Sequence, residues 1–457
     1  VTLADAQGVG TITNDDSAVS ARPNILFILA DDMGADSSEI YPWLQGDNGQ
    51  VPTPTLSALA ADGVIFRNAW ANPVCSPTRG TFISGLYGHQ TGVLTVGNRL
   101  PVSTTSIFEY ITSSSPESYA MAGFGKWHIG NNVSHVQNGT GLPVFRGFLG
   151  GFIADYYNWQ VVGTDQSTAQ TTTYATTALT DFAIEFIANH ESSPSANDPW
   201  FVYVPYNAPH GTEANDGFQV PPSNLHSVNL ADLGPPGTYY YGSGPGSNSA
   251  AALRVYRAMI QAMDTEIGRL LNAIGPPGSP ERDNTVVIFM GDNGTPPSVQ
   301  DSNVGVRDAK STVYEGGVRV PLVIAGAGVT RNGAEEEHIV VSSDLYATIA
   351  QLAGIPVSQI YNSYSLVPLL TSNSASSGRQ YAFTELCNRN AERYAVRGDR
   401  WKLLYSNGTW GMYDLVLDSL ETTNVYTSDN PTIAAERAIL QAELAALAAA
   451  APFGCFE

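Results

Sequence analysis

The chain has 457 residues, 43% hydrophobic and 14% charged, enough for a large α/β domain with a smaller one beside it. Lys and Arg number 21 against 42 Asp and Glu, a net charge of -21, which argues against nucleic acid or an anionic membrane as partner. No apolar run reaches the ~18 residues of a membrane span, and 3 Cys are too few for a disulfide scaffold.

Residues 1–17 read VTLADAQGVGTITNDDS, and Val9, Thr11 and Thr13 predict a short strand between turn residues. From Arg22 the texture changes. Asn24 to Ala30 is a continuous apolar run, as expected of a strand buried on both faces, and it ends in Asp31-Asp32. Thr55 to Asp62 predicts a helix stopped by Gly63, and Val64 to Ala69 a strand. Then comes Cys75-Ser76-Pro77-Thr78-Arg79. Ser76 suits an N-cap and Pro77 the first helical position, which sets Cys75 at the anion-favouring mouth of a helix. Arg79, four residues on, returns to the same face.

The pattern recurs further on. Tyr119 to Gly125 leads into Lys126-Trp127-His128; Ala175 to His190 predicts a helix; Trp200 to Tyr206 is a strand followed by Asn207-Ala208-Pro209-His210. Pro221 to Asn248, rich in Pro, Gly, Ser and Tyr, predicts a long surface loop, and Ala251 to Ile274 a long amphipathic helix. Thr285 to Met290 is a strand that opens into Gly291-Asp292-Asn293-Gly294. Lys310 begins a polar stretch leading to Val320–Ala325. Beyond Tyr381, the runs 394–397 and 401–405, the Asn407-Gly408 turn and a helix from Pro431 to Ala449 predict a small antiparallel sheet carrying one helix.

Alternating strands and helices predict an α/β fold: a large, mostly parallel sheet sandwiched between helices. The expected units are a tail over 1–20, an α/β domain over 21–375 and an α+β subdomain over 376–457. Ligands of such sheets bind beyond the carboxyl ends of the strands. Four runs deliver polar residues there: Asp31 and Asp32, Lys126 and His128, His210, and Asp292 with Asn293. Asp-Asp at a strand end is commonly a cap and Asp-Asn-Gly commonly a turn. Arriving together, Asp31, Asp32, Asp292 and Asn293 make an all-oxygen set suited to a hard cation. Lys126 and His128, two apart in extended chain, share a side. With Cys75 in the site, Cys387 and Cys455 are either a pair or two separate thiols.

The Cys75–Arg79 stretch resembles the signature of the type I sulfatases of the alkaline phosphatase superfamily, in which the Cys of Cys-x-Pro-x-Arg is oxidised to formylglycine. Thr78 and Ser84 are mild departures from that signature. Gly125-Lys126-Trp127-His128 matches a further motif of the family, and Ala208-Pro209-His210 and Lys310 match in order, so the resemblance covers residues 22–457. Residues 1–17 resemble the tail of a Calx-β repeat, a calcium-binding module, which implies a secreted, bacterial, longer polypeptide.

The sulfatase resemblance implies hydrolysis of an aryl or carbohydrate sulfate monoester. It implies a divalent metal, calcium ahead of magnesium, on Asp31, Asp32, Cys75, Asp292 and Asn293. The catalytic residues it implies are Cys75, Arg79, Lys126, His128, His210 and Lys310. In that scheme a hydrated formylglycine attacks sulfur, His210 or Lys310 protonates the leaving alcohol, and His128 takes the proton that lets sulfate depart. A formylglycine-generating enzyme would be the maturation partner. Two rival readings are a phosphodiesterase or phosphonate monoester hydrolase of the same superfamily, and a non-catalytic calcium-dependent binding module. Arg307, His135 and His338 match no motif and are expected to be structural or surface residues.

Overall fold

The apolar run Asn24–Ala30 forms the strand β1, and its residues divide between two cores. Leu26, Ile28 and Ala30 enter one, Ile25, Phe27 and Leu29 the other. A strand covered on both faces has no polar side to alternate with. The computed structural model describes residues 22–212, 217–244 and 247–450; the predicted strand and Calx-β-like stretch in 1–17 lie outside them.

In chain order the strands after β1 are β2 (Gly63–Trp70), β3 (Ala120–Lys126), β4 (Val144–Phe148), β5 (Trp159–Gly163), β6 (Thr168–Thr171), β7 (Trp200–Pro205), β8 (Gly217–Gln219), β9 (Tyr239–Tyr241), β10 (Thr285–Gly291), β11 (Leu322–Gly326) and β12 (Ala334–Val341). Then follow β13 (Gln359–Ile360), β14 (Ser363–Tyr364), β15 (Ala382–Asn388), β16 (Ala391–Arg397), β17 (Trp401–Ser406) and β18 (Thr409–Asp414). The main sheet has 10 strands in the order β12-β2-β11-β10-β1-β7-β3-β4-β5-β6. Its centre, from β10 to β4, is parallel; β11 runs antiparallel to both its neighbours, as does β5.

One face of the sheet is covered by the helices Pro54–Ala61, Ala175–Glu191 and Ser249–Ile274. The last buries Val255, Met259, Ile260, Met263 and Ile267 at the three-and-four spacing of an amphipathic helix. Its Asp264 also accepts the Thr55 and Leu56 amides at 3.0 and 2.8 Å, which caps the first helix from outside. The other face carries Cys75–Ser84, Ile107–Ser114 and Asp344–Leu352.

The C-terminal part is the expected antiparallel sheet, β15-β16-β17-β18, with the helix Pro431–Ala449 on it. Its core is shared with the main body, since Trp70, Val313, Val318 and Ile339 join Val396, Leu403 and Leu444. Cys387 is disulfide-bonded, whereas Cys75 is free; Cys455 lies outside the described residues. The expected loop 221–248 differs from the structure in one respect. Tyr239–Tyr241 is a strand, β9, paired with β8. Three successive Tyr have strand propensity that the surrounding Pro and Gly obscure.

Candidate active site

β1 and β10 pair in parallel with Ala30 opposite Gly291, so Asp31 and Asp292 leave the sheet side by side. The chain then bends sharply: Asp32 has φ +63°, its amide donates to Asp292 Oδ1 at 3.0 Å, and its carbonyl accepts from Tyr256 Oη at 2.7 Å. β3 delivers Lys126. Gly125 before it has φ +144°, and a Cβ there would lie 1.9 Å from the Pro205 carbonyl oxygen, so only glycine fits. His128 follows at φ +58°, its ring against Gly151, where a Cβ would come within 2.7 Å of Nε2. β7 leads to His210. Asn207 donates to Tyr156 Oη at 2.7 Å, and Tyr156 Oη donates to the His210 carbonyl at 2.8 Å.

Cys75 is the first residue of its helix and is fully buried. The expected cap is corrected here. Val74 is the N-cap, and the Ser76 hydroxyl instead donates to the His128 carbonyl at 2.8 Å and accepts the Gly97 amide at 3.1 Å. Ser76 therefore ties the Cys75 helix to the His128 turn, two contacts remote in sequence that no capping rule can foresee. Arg79, wholly buried, reaches three acceptors: Asp292 Oδ2 at 2.8 Å, Asp31 Oδ2 at 3.3 Å and the Lys126 carbonyl at 2.8 Å. Lys126 Nζ pairs with Asp31, and Lys310 Nζ meets Asp32 Oδ1 at 2.5 Å. His210 Nε2 stands 3.6 Å from Asp32 Oδ2.

The structure thus brings Asp31, Asp32, Asp292, Asn293, Arg79, Lys126, His210 and Lys310 into one network beside Cys75. Oxygen, sulfur or nitrogen atoms of Asp31, Asp32, Cys75 and His210 lie within 4.8 Å of one another. Asp292 stands outside that set, its oxygens taken by Arg79 and the Asp32 amide. Asn293 donates its amide to Asp32 Oδ1 at 2.8 Å.

Charge inside this buried network is unbalanced in an informative way. Burial pushes Asp32 up, but His210 and Lys310 outweigh it and hold the carboxyl well below its usual range. Asp292 is raised to about 7, by burial and then by Asp31 beside it, against the pull of Arg79. Burial lowers His128, and the neighbouring Lys126 and Arg79 lower it further, so its imidazole is neutral. Burial also pushes the Cys75 thiol up to about 12, against Lys126 and Lys310. Asp31 Oδ1 and Asn293 Oδ1 are buried with no hydrogen-bond partner. Orphaned oxygens among crowded carboxylates are what a hard divalent cation satisfies, and the residues present fit one.

Arg307, His135 and His338 stand apart from this network. Arg307 lies over the Tyr314 ring, His135 binds the Leu100 carbonyl at 2.7 Å and His338 binds Glu336 at 2.5 Å. Sequence reasoning missed Tyr156, Asn207 and Tyr256, which hold the backbone of His210 and Asp32; isolated Tyr and Asn carry no motif.

Carboxylates and an amide with orphaned oxygens, set among Arg and Lys at the carboxyl ends of an α/β sheet, make a centre suited to an anionic ester. The sulfatase family profile matches residues 23–355, and a profile described as N-sulphoglucosamine sulphohydrolase, C-terminal, matches 305–450. The chain is 30% identical over 412 residues to human arylsulfatase A, covering 84% of this chain and 75% of that protein. It is 26% identical over 434 residues to mouse arylsulfatase J, covering 86% of this chain and 65% of the mouse protein's length. Among solved structures, Ps i-CgsB in complex with k-i-k-neocarrahexaose superposes with a TM-score of 0.74 at 22% identity, over 94% of this chain and 93% of that one. The chain belongs to the sulfatase family, sulfuric ester hydrolases whose membership implies a metal and a formylglycine.

Proposed function

We propose that this chain hydrolyses the sulfate monoester of a carbohydrate, with residue 75 as formylglycine and calcium on Asp31, Asp32, Asp292, Asn293 and residue 75. The observation that carries this reading is the meeting of Cys75 with Asp31, Asp32 and His210 within 4.8 Å, the two carboxylates paired in turn with Arg79, Lys126 and Lys310. The carbohydrate is suggested by the sugar in the Ps i-CgsB complex. Calcium is favoured over magnesium because it accepts six to eight oxygen ligands in flexible geometry. The formylglycine-generating enzyme is then the partner in maturation.

When bound, the cation neutralises the carboxylates and lowers the pKa of the attacking hydroxyl. Residue 75, once converted and hydrated, would supply two hydroxyls on one carbon, one as the nucleophile and one whose proton loss would release sulfate. The chain's own side chains do the rest. Lys126 and Lys310 bind the sulfate oxygens as charge builds on them. Arg79 holds Asp31 and Asp292 in register with the Lys126 carbonyl. His210, whose Nδ1 donates to the Gly211 carbonyl at 2.5 Å, would give the leaving oxygen a proton from Nε2 as the imidazolium, a form that burial disfavours and the facing Asp32 and Asp31 favour. His128 would take the proton of the second hydroxyl, the negative charge of the bound sulfate offsetting the burial and the Lys126 and Arg79 charges that lower its basicity.

The Cys75 thiol supports this assignment. Burial pushes it up and so disfavours the thiolate, which leaves a plain cysteine a poor nucleophile without conversion. The test is a comparison of aryl sulfate with aryl phosphate esters: sulfate is expected to react faster, and faster phosphate cleavage overturns the reading. Loss of the cation to a chelator is expected to cut turnover at least about tenfold. Calcium should restore it more fully than magnesium, measured as inorganic sulfate released. His210→Ala should harm esters with poor leaving groups more than activated ones; equal loss on both removes His210 from the donor role.

We also read the chain as secreted. Among the described residues no helix is long and apolar enough to cross a membrane, and the bonded Cys387 suits an oxidising compartment.

A further inference from the structure

Lys310 sits on a loop whose backbone is under strain. Asp308 and Ser311, on either side of it, have φ of +63° and +73°, a region that non-glycine residues seldom occupy. Such a conformation persists only where the surroundings over-determine it. On the main-body side, the Lys310 amide donates to the Thr295 carbonyl at 3.0 Å and the Ser311 amide to the Pro73 carbonyl at 2.8 Å. On the other side the holds come from the C-terminal sheet and the loop after it.

Arg393 of β16 donates to the Ser311 carbonyl, one peptide from Lys310. Arg307 stacks on Tyr314, 3.9 Å from the ring centre, and donates to the Glu421 carbonyl. The Glu315 amide donates to Glu421 Oε2 at 2.8 Å. Lys402 of β17, wholly buried, then bridges the two acids, 3.1 Å from Glu315 Oε1 and 2.8 Å from Glu421 Oε1. Three buried charges are a poor source of stability, since desolvation offsets most of their attraction. Their geometry is nevertheless specific, and it closes around residues 307–315. None of these residues belongs to the metal-ligand set.

We propose that Arg393 and Lys402 are positioning residues for Lys310, so that the C-terminal sheet is part of the catalytic machinery rather than an appendage. This rests on the sulfatase reading given above, in which Lys310 meets the sulfate. A cationic group misplaced by about 1 Å costs on the order of 100-fold in rate, so a loosened loop is felt even when it stays folded.

The test is a double-mutant cycle in the full chain, read as kcat/KM on an activated aryl sulfate. Arg393→Gln is expected to lower it about tenfold when Lys310 is present, and less than about twofold in a Lys310→Ala background. Arg393→Lys, which keeps a donor for the Ser311 carbonyl, is expected to recover most of the loss. A general structural role would cost the same in both backgrounds, and that result overturns the proposal. Hydrogen exchange gives a readout independent of turnover: in Arg393→Gln and Lys402→Met the amides of Lys310, Ser311 and Gly316 should exchange about tenfold faster, with the amides of β1 and β10 unchanged. Unaltered exchange over 307–316 also overturns it. A wild-type chain inert toward sulfate esters would instead count against the sulfatase reading, and the exchange result would still decide the positioning claim.

Discussion

Cys75→Ala is expected to lower kcat by about 10⁴-fold or more, the scale seen when a covalent nucleophile is deleted. The fold should survive. Cys75 is buried at the first turn of its helix, and alanine removes one sulfur without leaving a charge or hydrogen bond unpaired. A stability loss of about 1 kcal/mol is the order expected for so small a cavity. The variant should still bind the cation through Asp31, Asp32, Asp292 and Asn293, and should still bind the sulfate ester. A Cys75→Ala enzyme with more than about 1% of wild-type turnover would remove residue 75 from the chemistry.

Arg79→Lys is the second large effect. The guanidinium spans two carboxylates and a carbonyl at once, with two of its nitrogens in one plane. An ammonium cannot reproduce that fork. A lysine reaching only one carboxylate would leave Asp31 with Lys126 alone or Asp292 with the Asp32 amide alone in a fully buried site, and breaking such a pair costs up to about 3–5 kcal/mol. Turnover should fall about 100- to 1000-fold as the carboxylates lose their register. Thermal melting and steady-state rates measure the two losses separately. Near-wild-type values of both would mean that the network is far more tolerant than its burial implies.

Much of this site is written locally in the chain. β1 was legible to the residue because a two-face-buried strand has a distinct signature, and the Asp31-Asp32 pair at its end needed only the rule that ligands bind at strand carboxyl ends. The long helix, expected from Ala251 and observed from Ser249 to Ile274, was plain from its spacing. The direction of β11 was not, since an antiparallel strand inserted between β10 and β2 has the same apolar composition as a parallel one. Ser76 misled for a related reason: its hydroxyl fits a cap, and tertiary contacts with His128 and Gly97 claimed it. The Glu315–Lys402–Glu421 cluster could not be read at all. Its members lie 87 and 106 residues from Glu315, and each alone resembles a solvated surface charge.

Mass spectrometry of the peptide containing residue 75, from catalytically active protein, tests the central claim most directly. The account predicts a residue lighter than cysteine by the exchange of its thiol for an aldehyde oxygen, with turnover rising in proportion to the aldehyde fraction across preparations. Full activity from a chain whose residue 75 is an unmodified thiol would contradict it.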